Sequence, residues 1–237
     1  MNRHFLQSGV APVILILFSF GWNSQANSGS AIQCHCFTER DYNPAERFAA
    51  DDYILATSFN SLLARLTGLP KSQVVMIKMK EGLPQNDLLI SLQAAKISGQ
   101  KLQEILDLRR AGTDWPEIIA HLPRQEVVNQ NEILKGIQTG TSVDVAGARV
   151  ADEIISEFYA IPAEEMHKLR MSGLNSREIN LILILNHVSE IQPETLAAQY
   201  KKQGRSWSEI AYNLGLRPKE TGKLILVYPS KSIPEIN

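Results

Sequence analysis

Cys34-His35-Cys36 is the densest group of metal-binding and redox-active side chains in the chain, and it holds both cysteines. Thiolate and imidazole are good ligands for zinc or copper. Adjacent residues seldom fill one tetrahedron together, however, and no second Cys/His cluster completes it. His121, His167 and His187 each stand alone in sequence. Haem attachment would need C-x-x-C-H, which this segment is not. No metal and no cofactor is therefore assigned. Cys34 and Cys36 are instead read as a disulfide, within the pair or between chains, because their Cα atoms can approach to about 5.5–6.8 Å.

Other chemical signatures are missing. The chain has no G-x-S-x-G, no H-E-x-x-H and no G-x-x-x-x-G-K-[S/T]. Asp51-Asp52 and Glu164-Glu165 are paired acids, but sequence neighbours on a helix do not face one another, so neither makes a catalytic pair. Trp115 and Trp207 recur in equivalent contexts. They could be aromatic ligand platforms, but a tryptophan just after a helix cap packs back on the preceding helix, and packing is the reading adopted.

The N-terminus carries an address. Arg3 and His4 precede an apolar run, Val10 to Trp22, and small polar residues follow with Ser24 and Ala26 set as a cleavage site. This is a signal-peptide layout. The run is shorter than the roughly 20 residues a membrane span needs. Gln33 before Cys34 is not the small residue a lipoprotein signal requires. Removing residues 1–26 leaves 23 basic and 25 acidic residues. A net charge so close to zero provides no field to recruit nucleic acid or an anionic membrane.

The elements that position all of this repeat. Gly82, Gly112, Gly173 and Gly204 are reference points, spaced by 30, 61 and 31 residues. An acid follows five residues later each time (Asp87, Glu117, Glu178, Glu209), and Leu88, Ile118, Ile179 or Ile210 comes next. Seven residues before each glycine stands Val75, Ile105, Met166 or Ala197. Four before stands Leu108, Leu169 or Tyr200, a pattern that Lys78 breaks in the first copy. Each glycine is read as the left-handed residue that ends a helix. Basic residues in the turn before it oppose the helix dipole. Asp114, Asn175 and Ser206 read as N-caps, with the acid three residues on closing a capping box, while Pro84 suits a first turn.

The glycines fall in two pairs related at an offset near 92, where Trp115-Pro-Glu-Ile118 matches Trp207-Ser-Glu-Ile210. The module, with basic residues, Gly, a cap, Trp and Glu-Ile, is similar to tandem modules in uncharacterised exported bacterial proteins. That resemblance covers residues 70–216 and implies architecture without activity. A second resemblance lies at 204–226, where Glu209-Ile-Ala-x-x-Leu-Gly215 resembles the bacterial helix-turn-helix pattern. It implies a recognition helix in the major groove with Arg217, Lys219 and Lys223 on phosphates. Thr221 sits where that family packs an aliphatic residue, Gly222 weakens the helix, and His121-Leu-Pro-Arg124 offers no second helix in the first pair. Export also removes the chain from DNA.

The fold expected is all-α, with repeated helical hairpins in two related helical units. Residues 1–26 are a cleaved signal peptide, and 27–60 is an N-terminal segment with Cys-His-Cys and a further helix in 44–61. The first helical unit is 61–124, its Gly/Thr/Ser-rich successor 125–149 a linker with room for one short helix near Asn131–Lys135, the second unit 150–226, and 227–237 a loose tail. The function expected is that of an exported, non-enzymatic interaction or structural protein of the periplasm or extracellular space. Its partner would be an unidentified protein or envelope component, with no nucleic acid, and with membrane contact only through the signal peptide. A DNA-binding helix-turn-helix protein and an envelope enzyme with an unrecognised site are the alternatives.

Mass spectrometry of the unreduced native protein should show a chain starting near Asn27 and lacking two hydrogens, or a covalent dimer. Replacing both Cys34 and Cys36 by Ser should leave the melting temperature nearly unchanged, because so short a loop removes little unfolded-state entropy. Free thiols holding one equivalent of zinc or copper would instead make Cys34-His35-Cys36 a metal site.

Overall fold

The computed structural model describes residues 37–229, so the signal-peptide segment and Cys34-His35-Cys36 lie outside the described residues. A 3-10 turn at Pro44–Glu46 leads into thirteen α-helices, and no strand occurs among the described residues. The first five helices are α1 (Asp51–Thr67), α2 (Lys71–Met79), α3 (Gln85–Ser98), α4 (Leu102–Arg110) and α5 (Trp115–His121). Two short helices follow, α6 (Gln125–Val128) and α7 (Glu132–Gln138). Then come α8 (Val143–Tyr159), α9 (Ala163–Met171), α10 (Ser176–Ser189), α11 (Pro193–Lys201), α12 (Trp207–Asn213) and α13 (Pro218–Val227). The chain is all-α. Among the described residues no helix is long and apolar enough to cross a membrane.

Helices α1–α5 and α8–α12 form two series of identical lengths, 17, 9, 14, 9 and 7 residues. Their starts are 91 or 92 positions apart, Asp51 against Val143 and Trp115 against Trp207 for example. Local chemistry sets the boundaries. Gly82, Gly112, Gly173 and Gly204 have φ of 67, 87, 74 and 64°, the left-handed conformation that lets a helix stop without a Cβ clash. Asp114, Asn175 and Ser206 accept the amides of Glu117, Glu178 and Glu209. Of these three caps, Asn175 alone has its capping box closed, by Glu178; Glu209 turns instead to Arg47. Pro84 is the residue before α3, where its fixed φ ends the preceding turn.

Helices of one series do not simply stack on their neighbours. α1 packs along α13 and against α10 and α12 of the second series, and α3 of the first series packs against α8. The long helices are thus exchanged across the two series. Leu181 to Leu185 of α10 are buried without a break, and so are Asp87 to Ala95 of α3. A helix buried all round has to be covered from several directions, and the exchanged helices provide that cover.

The stretch 125–149, expected as a linker, holds α6, α7 and the start of α8, with Val128, Ile133, Leu134, Ile137 and Ala146 in the core. One of its glycines marks a close crossing: a Cβ on Gly147 would meet the Asn86 side chain at 2.6 Å. Ser142 there is an N-cap, accepting from Val145 N at 3.3 Å. The boundaries expected at 61 and 150 both fall inside helices, α1 and α8. Tyr228, read as the beginning of a loose tail, stacks on Phe158 with 5.3 Å between ring centroids. Residues 230–237 lie outside the described part.

Helix α13 approaches α1 closest at Gly222. A Cβ there would meet Ser61 Oγ at 2.8 Å, Lys71 Nζ at 2.9 Å and the Thr57 carbonyl at 3.2 Å. Gly222→Val should therefore destabilise the protein by roughly 1–3 kcal/mol through overpacking, despite the better helix propensity of valine. Urea unfolding measures this, and an unchanged or raised midpoint would show that the α1–α13 crossing is looser than described.

Candidate functional site

The recurring acids and tryptophans meet in space. Trp115, at the start of α5, donates its Nε1–H to Asp87 of α3 at 2.6 Å, and Trp207 of α12 donates to Glu178 of α10 at 3.3 Å. Both indoles are buried. Arg109 of α4 completes the first group: it donates to Asp87 at 3.0 Å and lies over the Trp115 ring at 5.2 Å. At the matching position of the second series Tyr200 stacks flat on Trp207, with centroids 4.3 Å apart. The tryptophans are links between successive hairpins, with no open face for a ligand.

The other sequence candidates are separated or committed. Asp51 is buried and receives the amides of Trp207 and Ser208, at 3.0 and 2.9 Å, together with the Ser208 hydroxyl. It closes the N-terminus of α12 from another helix, and burial pushes its carboxyl up while those hydrogen bonds oppose the shift. Asp52 is exposed, so the two acids share no site. Glu164 pairs with Lys168 at 2.8 Å beside Glu165 and Glu194, on the wall of a groove of about 320 Å³ between α9 and α11. His121 is held by the Glu117 carbonyl at 2.8 Å and His187 lies against Tyr228 at 4.7 Å, while His167 is exposed on α9. Among the described residues no three His, Cys, Asp or Glu side chains gather as a metal site. Thr221, Gly222 and Ile225 of the helix-turn-helix-like segment face the core.

A cationic group that sequence reasoning passed over is assembled by α1, α2, α3 and α10. Lys78 of α2 donates to Asn60 Oδ1 at 2.9 Å and to Gln85 Oε1 at 3.3 Å. Arg177 of α10 brings its Nε to the same Gln85 oxygen at 3.1 Å. Neither cation forms a salt bridge among the described residues. Lys71, two turns earlier on α2, donates to Thr57 Oγ1 at 2.5 Å and lies near Lys219 of α13. Burial, reinforced by Arg177, pushes the Lys78 amine down to about 7. Burial, reinforced by Lys219, brings Lys71 down to about 8. Arg177 is lowered by burial too, with exposed Asp52 opposing the shift.

One signal in the sequence did mark this group: Lys78 is where the repeat fails. The structure accounts for the failure. The turn between α2 and Gly82 is one residue longer than that between α9 and Gly173, so Ile77 is the counterpart of Leu169 and Val74 that of Met166, all four buried. Lys78 then matches Arg170. Counting from the glycine had put Val75 in the core; it is half-buried instead. The convergence of Lys78 and Arg177, 99 positions apart, had no signal in sequence.

The lowered Lys78 pKa fixes a sign. The unfolded chain keeps an amine near the ordinary 10.5, while the folded protein releases that proton near 7. The fold therefore carries the full penalty of the charged group below about pH 7 and sheds it as pH rises toward 10.5. Denaturant unfolding at a series of pH values should show stability rising across this window, and Lys78→Met should flatten the rise. An equally steep rise in the variant would place its origin elsewhere, Lys71 being the next group. No protein-family model, curated protein or solved structure matches the chain, so its function is read from its own residues.

Proposed function

We propose that this chain is an exported, non-enzymatic helical protein that works by binding, presenting its helical surface to another protein or to an envelope component. The observation that carries the reading is the fate of the recurring reactive side chains. Trp115, Trp207, Asp87, Glu178 and Asp51 are all buried and engaged in holding one helix to another. Such use suits a rigid scaffold, because a buried and fully satisfied polar link specifies one arrangement of helices. The N-terminal signal-peptide pattern supports export, and the near-neutral charge suits a protein rather than a nucleic-acid partner.

Fractionation of cells expressing the full chain, joined to cross-linking in intact cells and denaturing purification, tests this reading. A processed chain outside the cytoplasm, cross-linked to one discrete component, is the expected result. An unprocessed chain in the cytosol that retards DNA would overturn it in favour of the helix-turn-helix alternative. A processed chain that forms no adduct would also overturn it.

A further inference from the structure

The two series differ most sharply where Lys78 stands. In the second series its counterpart Arg170 is satisfied by protein alone. Arg170 Nε donates to both Asp152 oxygens at 2.9 and 3.0 Å, and its other nitrogens reach the Leu174 carbonyl at 3.0 Å and Ser176 Oγ at 2.5 Å. In the first series both side-chain partners are replaced. Asn60 stands for Asp152, and Gln85, like Ser176, is the first residue of its helix. The carboxylate is gone and the cation remains.

A second change of the same sign occurs beside it. Asn86 of α3 donates to Asp144 at the start of α8 at 2.8 Å. Its counterpart on α10 is Arg177, facing the start of α1, where Asp52 acts on it only through space. A positive charge has been added next to the place where a negative one was removed. Lys78 Nζ and Arg177 Nε share one amide oxygen, so they stand no further apart than two hydrogen bonds laid end to end. Like charges at that separation repel, and half-burial weakens the screening that water would supply.

We propose that Lys78, Arg177 and Gln85 form a binding site for a dianionic phosphoryl group, either free phosphate or the terminal group of a phosphomonoester. The donor set fits that chemistry. Among the described residues Arg177 uses only Nε, which leaves both Nη groups as a planar fork, and Lys78 has one ammonium hydrogen beyond its two bonds. An arginine fork beside a lysine point charge is suited to tetrahedral oxyanions. A dianion neutralises both cations, whereas a single carboxylate neutralises one. Lys71 and Lys219 extend the positive field along the same side of α2. Lys78, Gln85 and Arg177 are all half-buried, so the site is reached from solvent yet dry enough to strengthen its electrostatics. The site stands on this geometry, independently of export or of any protein partner.

Isothermal titration of the folded full chain with inorganic phosphate tests the proposal, with glycerol phosphate, phosphatidic acid vesicles and acetate as parallel arms. Saturable phosphate binding is expected, and acetate should bind at least tenfold more weakly. Glycerol phosphate binding as tightly as phosphate identifies a monoester site, and vesicle binding identifies a lipid headgroup. Arg177→Asn, which copies Asn86, and Lys78→Met should each weaken phosphate binding at least tenfold. Arg177→Asn removes a cation without a salt bridge and leaves no buried group of α1 without its partner, so it should unfold at equal or higher denaturant concentration when phosphate is absent. Phosphate binding that survives both substitutions, or no saturable binding of any dianion by the wild-type chain, overturns the proposal. A loss of stability in Arg177→Asn without phosphate would also overturn it, because Arg177 would then be structural.

Discussion

Helix α1 has thirteen of its seventeen residues buried, and six of these are the polar side chains Asp51, Thr57, Ser58, Asn60, Ser61 and Thr67. A buried hydroxyl or amide without a partner costs about 1–3 kcal/mol, so a helix of this kind has to be covered by elements that satisfy it. Some needs are met within the helix, as when Ser61 donates to the Thr57 carbonyl at 2.9 Å. The rest are met from outside. Lys71 donates to Thr57 and Lys78 to Asn60, while Asp51 at the other end of α1 holds the first amides of α12. Gly222 brings α13 close enough to shield the same face. The exchange of long helices between the two series follows from this requirement, because neighbours on one side alone would leave α1 half exposed.

The exchange also explains why the second series must be present for the first to hold together. α1 is covered mainly by α13 and α10, with α2 and α12 beside them, and α8 mainly by α3, so each series helps to complete the core of the other. A repeat that stacks only on its neighbours gains stability one unit at a time. Here the two series are interlocked, and the described residues from 37 onward fall into one compact unit.

Duplication supplies an internal comparison that a single copy would not. Where the copies agree, as in the two tryptophan-to-acid bonds, the residues serve the frame they share. Where they differ, the frame tolerates the difference, and its energetic direction becomes informative. Arg170 with Asp152 is a compensated pair at partial burial, whereas Lys78 with Asn60 and Gln85 beside Arg177 is a charge excess at a matching position. Burial disfavours the charged form of both cations, since a cation away from water without a counter-ion is costly.

Short-range chemistry was legible in the chain itself. The all-α class, the left-handed glycines, the caps at Asp114, Asn175 and Ser206 and the offset near 92 all depend on residues within a turn or two of one another. Such interactions are written in sequence spacing. What spacing could not reveal was long-range pairing: that 125–149 packs into the core, that Asp51 caps a helix more than 150 positions away, and that Asp87 serves Trp115. The cationic group is the clearest case. Lys78 announced itself as a break in the repeat, but a one-residue difference in a turn hid its counterpart Arg170. Arg177 had no local oddity at all. The sequence by itself determined where the helices on either side of the four recurring glycines stop and start, because caps and turns close over a few residues. Only the tertiary structure decided which helices cover one another, because burial satisfies groups that are distant in the chain, and with that it decided which charges are left without a partner.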